Sequence, residues 1–249
     1  VAYSVHDLED AVHSGLVSLE QFRSPTEQRA LVDGVADAGL ARVAEVALRP
    51  EAFAGMQDDA VAALARHAQS RGVALMLGNG PGTDAVDIVR LHRMLADEGL
   101  EVGVTLPAAL RESESLCTRT TGRVRLVKGG RGGRAPLYYS QPIEIDKSFV
   151  RCAKALVRGP AEPSFATHDG RLIGIVEALA LKSGRPDSSY EFTMFMGRQE
   201  SEQERLLAQG RQVRVYVPYG PEWFERLVGG LAEQPSTIAA AVRSLLPGS

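Results

Sequence analysis

Short runs rich in β-branched and apolar residues recur along this chain between longer stretches with apolar residues three and four apart, and that alternation restricts the fold more than any other feature. The runs lie near Ala2–Val5, Arg42–Val46, Val73–Leu77, Val102–Leu106, Val124–Val127, Ser164–Thr167, Glu191–Phe195 and Arg214–Val217. Helical periodicity marks Pro25–Ala38, Asp58–Ser70, Asp84–Asp97, Lys147–Val157, Leu172–Lys182, Glu200–Gln209 and Glu222–Glu233. Eight strands alternating with helices predict an α/β fold, a (β/α)8 TIM-type barrel, and the last helical stretch adds a C-terminal helical extension.

A length of 249 residues suits one such barrel, so residues 1–249 are read as a single domain. Hydrophobic residues at 44% supply a full core, and 24% charged residues keep its surface solvated. A net charge of −3 gives no broad cationic footprint for nucleic acid. Cys117 and Cys152 are too few for a disulfide framework and lie in no metal-spaced cluster, so they are expected to be buried or incidental thiols. No run reaches the length of a membrane span, and the N-terminus lacks the pattern of a secretory leader; the expectation is a cytoplasmic protein with no metal.

In such barrels the chemistry gathers at the C-terminal strand ends, because the βα connections there surround one mouth. The longest and most irregular connection, Gly129 to Ile145, is expected to be a mobile flap over that mouth. Its run Lys128-Gly129-Gly130-Arg131-Gly132-Gly133-Arg134 either cradles a phosphate with backbone N–H groups and flanking cations or forms a solvated flap; it lacks the spacing of a P-loop. If the run is ordered, Tyr138 and Tyr139 are candidates for a lid.

Four blocks carry a family resemblance. They are Arg125-Leu126-Val127-Lys128-Gly129, Phe165-Ala166-Thr167-His168, Tyr190 to Gly197, and Arg214-Val215-Tyr216-Val217-Pro218-Tyr219-Gly220 with the helix Trp223 to Glu233. In order and approximate spacing they resemble the flavin-dependent proline dehydrogenases. The resemblance implies a small-molecule dehydrogenase with FAD in the barrel mouth, Arg125 against the flavin, and the strand backbone at Val127 and Gly129 bordering the ring. It implies Thr167 and His168 near the ribityl and phosphate groups, with Glu233 an acidic residue near the cofactor. Each has a plainer reading: Arg125 pairs with a carboxylate buried in the barrel, His168 is a loop or core histidine, and Glu233 is a solvated helix residue.

The departures gather where proline would bind. Gly229 and Gly230 stand where the family has paired arginines, whose planar donor forks match a carboxylate. A family lysine on the second strand corresponds to Ala44 or Glu45, and an aspartate on the third to Gly78. On the fourth strand Pro107 and Ala109 fall where the family has a glutamine and a nearby aromatic. Tyr216 keeps the family tyrosine of the last strand, as a substrate contact or a barrel-lining aromatic. The expected pocket therefore comprises Tyr216, Gly229, Gly230, Arg131, Ala44 and Gly78, and is wider and less positive than the family's. It suits an amine or imino compound other than free proline, with its carboxylate masked, for example on a carrier. The competing expectation is a degenerate, flavin-free barrel that binds a ligand or partner, or runs cofactor-independent chemistry.

Overall fold

The computed structural model describes residues 16–21, 25–48, 58–78, 85–129 and 136–218. Its strands are β1 (Leu16–Gln21), β2 (Ala44–Leu48), β3 (Ala74–Leu77), β4 (Val102–Pro107), β5 (Arg123–Val127), β6 (Glu162–Ala166), β7 (Glu191–Phe195) and β8 (Gln212–Pro218). The helices between them are α1 (Pro25–Asp37), α2 (Asp58–Ser70), α3 (Ala85–Asp97), α4 (Ser113–Arg119), α5 (Pro142–Arg158), α6 (Gly170–Lys182) and α7 (Glu200–Ala208). All neighbouring strands pair in parallel, and β8 returns to β1 with Leu16 opposite Arg214, so the sheet closes on itself. The (β/α)8 expectation is met; the stretch Glu222–Glu233, read as a C-terminal helical extension, lies outside the described residues.

Two corrections concern the elements. The barrel's first strand is Leu16–Gln21 rather than Ala2–Val5, which lies outside the described residues. Leu-Val-Ser-Leu alternates weakly because its inward residue is a small serine, so the period-two signal is faint there. Helix α5 starts at Pro142, not Lys147: proline fits the first helical turn, where its missing N–H costs nothing. The irregular connection therefore ends at Gln141. Helix α4, seven residues long, carries too few periods to be read from sequence.

Strand parity sorts the side chains into two populations. Val17, Leu19, Val46, Leu48, Leu75, Leu77, Val104, Leu106, Val124, Leu126, Phe165, Phe192, Val213 and Val215 face outward and join helix residues such as Leu64, Leu95, Phe149 and Ile173 in one apolar core. Cys117 on α4 and Cys152 on α5 lie buried in that layer as free thiols. The alternate positions face the lumen and are largely polar: Ser18, Glu45, Thr105, Arg125, Ser164, Glu191, Thr193 and Arg214 are all buried. Ser164 and Thr193 share a hydroxyl hydrogen bond of 2.6 Å there.

One surface arginine fastens the helix ring to the barrel. Arg185 donates to the carbonyls of Leu156 at 3.0 Å and Gly159 at 3.1 Å, at the C-terminus of α5, and to those of Ala161 and Ser189. Helix C-termini leave carbonyls without intrahelical donors, so a cation there serves both hydrogen bonding and the helix dipole. Arg185→Met is expected to lower unfolding free energy by roughly 2 kcal/mol, read as a shift in urea midpoint. A midpoint equal to wild type would contradict this role.

Candidate functional site

The C-terminal strand ends form an asymmetric mouth. By the parity above, its inner rim is built from Ala47, Gly78, Pro107, Val127 and Ala166 on one side, all small or compact, and from Phe195 and Tyr216 on the other. Phe195 meets Tyr216 edge-on with centroids 4.8 Å apart, and His168 stacks on Phe195 at 5.6 Å. Half-buried Val127, Gly129, Ala166, Phe195 and Tyr216 keep the rim accessible, whereas the layer beneath is closed to solvent.

That lower layer is an ion cluster with Glu45 as its hub. Glu45 is fully buried and lies beside Ser18 across the β1–β2 ladder, on the far wall of the barrel from β5. The Arg125 guanidinium crosses the lumen to reach it, donating through Nη2 to Glu45 Oε1 and through Nη1 to Ser18 Oγ at 3.4 Å. Arg123 Nη2 meets Glu45 Oε2 at 2.9 Å and Arg214 Nε lies 3.7 Å from the same oxygen. Arg214 grips Glu191 bidentately at 2.8 and 2.9 Å and donates to the Val17 carbonyl at 3.0 Å. Burial by itself would raise the Glu45 pKa, but Arg125, Arg214 and Arg123 together outweigh it and hold the carboxyl well below its ordinary range. The carboxylate reading of Arg125 thus describes its partner. Arg125 Nε remains buried with no hydrogen-bond partner among the described residues.

The expected pocket residues separate in the same way. Ala44 belongs to the outward apolar core, not the pocket, and sits at the start of β2, so the lumen position is its neighbour Glu45. Gly78 does lie at the mouth, buried, donating from its backbone N to the Leu48 carbonyl at 2.6 Å. Gly129 leaves β5 with φ +87, and a Cβ there would sit 2.8 Å from the Cβ of Pro107. Only glycine fits that turn without strain. Arg131, Gly229, Gly230 and Glu233 lie outside the described residues.

The two lid candidates are fastened to the β4–α4 connection. Tyr138 bridges Leu110 in antiparallel fashion, and Tyr139 donates from its backbone N to the Ala109 carbonyl at 2.7 Å. Arg111 lies 4.3 Å over the Tyr139 ring and Arg151 donates to its hydroxyl at 3.2 Å. These contacts dock 136–141 against the β4–α4 connection, because a tyrosine between two guanidiniums gains both cation–π and hydrogen-bond energy.

Between β5, β6 and β7 the mouth carries a polar shelf. Lys128 Nζ lies 2.8 Å from Asp146 and 3.4 Å from Asp169, and Arg171 reaches both carboxylates at 3.1 and 2.9 Å. Asp169 caps α6 by accepting from Arg171 N, and its separate bond from the Arg171 guanidinium leads the effects that hold its pKa at about 2. Buried Thr167 accepts from the Asp169 backbone N at 3.1 Å. His168 Nε2 accepts from Phe195 N at 3.0 Å, which assigns the ring proton to Nδ1 and leaves that atom as the donor. Burial, and secondarily Arg198, lowers the His168 pKa to about 4. The neutral ring is the working form.

A closed parallel barrel with a polar lumen and a rimmed C-terminal mouth defines the class: a (β/α)8 protein of the kind that binds small molecules at its strand ends. A family model for proline dehydrogenase matches residues 131–223. The chain is 32% identical over 125 residues to a proline dehydrogenase of Deinococcus radiodurans, covering 50% of this chain and 40% of that protein. It is 31% identical over 159 residues to proline dehydrogenase 1 of Bacillus subtilis, covering 63% and 53% respectively. Among solved structures, a proline utilization A protein of Bdellovibrio bacteriovorus superposes with TM-score 0.72 at 20% identity, over 91% of this chain and 30% of that one. One from Bradyrhizobium japonicum gives 0.67 at 18%, over 94% and 30%. Over the matched residues the chain is similar to the proline dehydrogenases. It spans about half the length of the relatives it matches.

His168 also sets a pH response. Its folded pKa of about 4 lies below the unfolded reference of 6.5, so the unfolded chain binds the proton first. The stability this contributes is complete above pH 6.5 and is lost as pH falls toward 4. His92, also depressed by burial, adds to the slope. With His168→Gln, whose amide oxygen can still accept from Phe195 N, the loss of unfolding free energy between pH 7.5 and 5.5 is expected to shrink by roughly 1 kcal/mol. An unchanged difference in urea titrations at the two pH values would refute the assignment.

Proposed function

We propose that this chain forms the barrel of a flavin-dependent oxidoreductase that oxidises a C–N bond of an amine or imino compound other than free proline. The residues at the mouth suit FAD. Lys128, Arg171 and the Nδ1–H of His168 gather hydrogen-bond donors for a diphosphate at the β5 and β6 ends, with the two cations balanced by Asp146 and Asp169. The small rim from Ala47 to Ala166 leaves room for a flat ring beside Val127 and Gly129. When bound, the flavin supplies the two-electron chemistry; the protein supplies binding, orientation and electrostatics.

The single observation that carries the choice of substrate is the charge beneath the rim. Arg125, the cation nearest the mouth from below, is already paired with Glu45, and Ala47 and Gly78 offer no donor side chain. Gly229 and Gly230 bring none either. Among the described residues of the rim no guanidinium fork stands ready for a free carboxylate, which would lose its water at a cost of several kcal/mol. A substrate with its carboxylate masked, as an ester, amide or carrier thioester, avoids that loss. Within the chain, Phe195 and Tyr216 supply the apolar wall against which such a substrate lies.

One observation favours a second reading. The Glu45 cluster pairs both of its carboxylates with guanidiniums without any ligand, as expected of a barrel that keeps its fold while working without flavin. Purified protein incubated with FAD and passed through gel filtration separates the two. Co-eluting flavin absorbance is expected, with anaerobic bleaching faster by proline methyl ester than by equimolar proline. A colourless protein would favour the flavin-free barrel, and rapid bleaching by millimolar proline would overturn the masked substrate.

A further inference from the structure

Among the buried ionisable groups, Glu45 is unusual in facing three guanidiniums from two strands, β5 and β8, while carrying no exposed surface. The two carboxylates of the cluster divide their partners. Glu191 is held bidentately by Arg214 near the N-terminal end of the lumen, and part-exposed Arg123 lies at that same end, where water screens it. The buried pair nearest the mouth is therefore Arg125 with Glu45. Arg125 stands two residues before Val127 on β5, about 7 Å below the rim by strand rise. At that separation and in a dry lumen, an unpaired guanidinium would shift the equilibrium of a charged ligand on the rim by tenfold or more. Paired, it does not.

We infer that Glu45 is a positioning residue that sets the charge beneath the ligand mouth, by drawing Arg125 across the lumen to the β1–β2 wall and cancelling a cation that would otherwise stabilise negative charge on the ring of a bound flavin. The inference rests on the flavin reading above and adds to it a consequence of this chain's own residues. Two-electron reduction of a flavin at neutral pH places negative charge on the ring, so a cation below it favours the reduced form and a neutral pair leaves the potential low. Ser18 contributes through its hydroxyl, which accepts from the guanidinium, and it stands opposite Glu45 in the β1–β2 ladder. Glu45 thus acts through Arg125, without contact to the ligand.

The test is the midpoint potential of FAD on the protein, measured anaerobically with reference dyes, together with the FAD dissociation constant. Glu45→Gln keeps the shape and removes the charge; it is expected to raise the potential by at least about 30 mV, a tenfold change for a two-electron couple. Glu45→Asp keeps the charge and is expected to stay close to wild type. Should Glu45→Gln fail to fold, Ser18→Ala loosens the same seat and is expected to shift the potential in the same direction by less. FAD uptake with a potential unmoved or lowered in whichever of these two variants folds overturns the inference alone. No FAD uptake by the wild-type protein removes the flavin reading and this inference with it.

Discussion

The carboxylate of Glu45, buried among Arg125, Arg123 and Arg214, is the interaction on which the barrel interior depends. A single buried charge is costly, and its partner left alone is costlier still, so these groups hold one another in place. They also tie together strands far apart in the chain. Arg125 links β5 to β1 and β2 across the lumen, and Arg214 bridges β7 and β8 to the backbone of β1, where the sheet closes. The closure seam is thus fastened by side chains as well as by the ladder. Around this polar centre the outward faces of the same strands build an apolar annulus with the helices, so the hydrophobic effect supplies stability outside while ion pairs fix geometry inside.

Function follows from where that cluster stops. Above it the rim turns to Ala47, Gly78, Pro107, Val127 and Ala166, which fill little space, and to Phe195 and Tyr216, which form one wall. The charged shelf of Lys128, Asp146, Asp169 and Arg171 lies to the side, on the connections after β5 and β6. In the proposed reading such a mouth separates its tasks: polar recognition at the β5 and β6 ends, apolar contact along β7 and β8, and a floor of paired ions. The docking of Tyr138 and Tyr139 on the β4–α4 connection ties 136–141 to one of the βα connections around the mouth.

The amino-acid sequence determined the repeating strand-helix rhythm, because period-two and period-3.6 patterns follow from local geometry and need no knowledge of partners. Seven of the eight strands and six helices are legible that way, as are Gly78 and Tyr216 at strand ends. Where the local signal was thin, at Leu16–Gln21 and at α4, only closure of the ring and packing on α5 decided the element. The site divides likewise. Sequence could offer a flavin or a buried carboxylate as the partner of Arg125, and Ala44 or Glu45 as the lumen residue of β2. Which side of a strand faces inward, and which charge waits on the opposite wall, are set by the register of strands nearly a hundred residues apart, and that exists only once the barrel has closed.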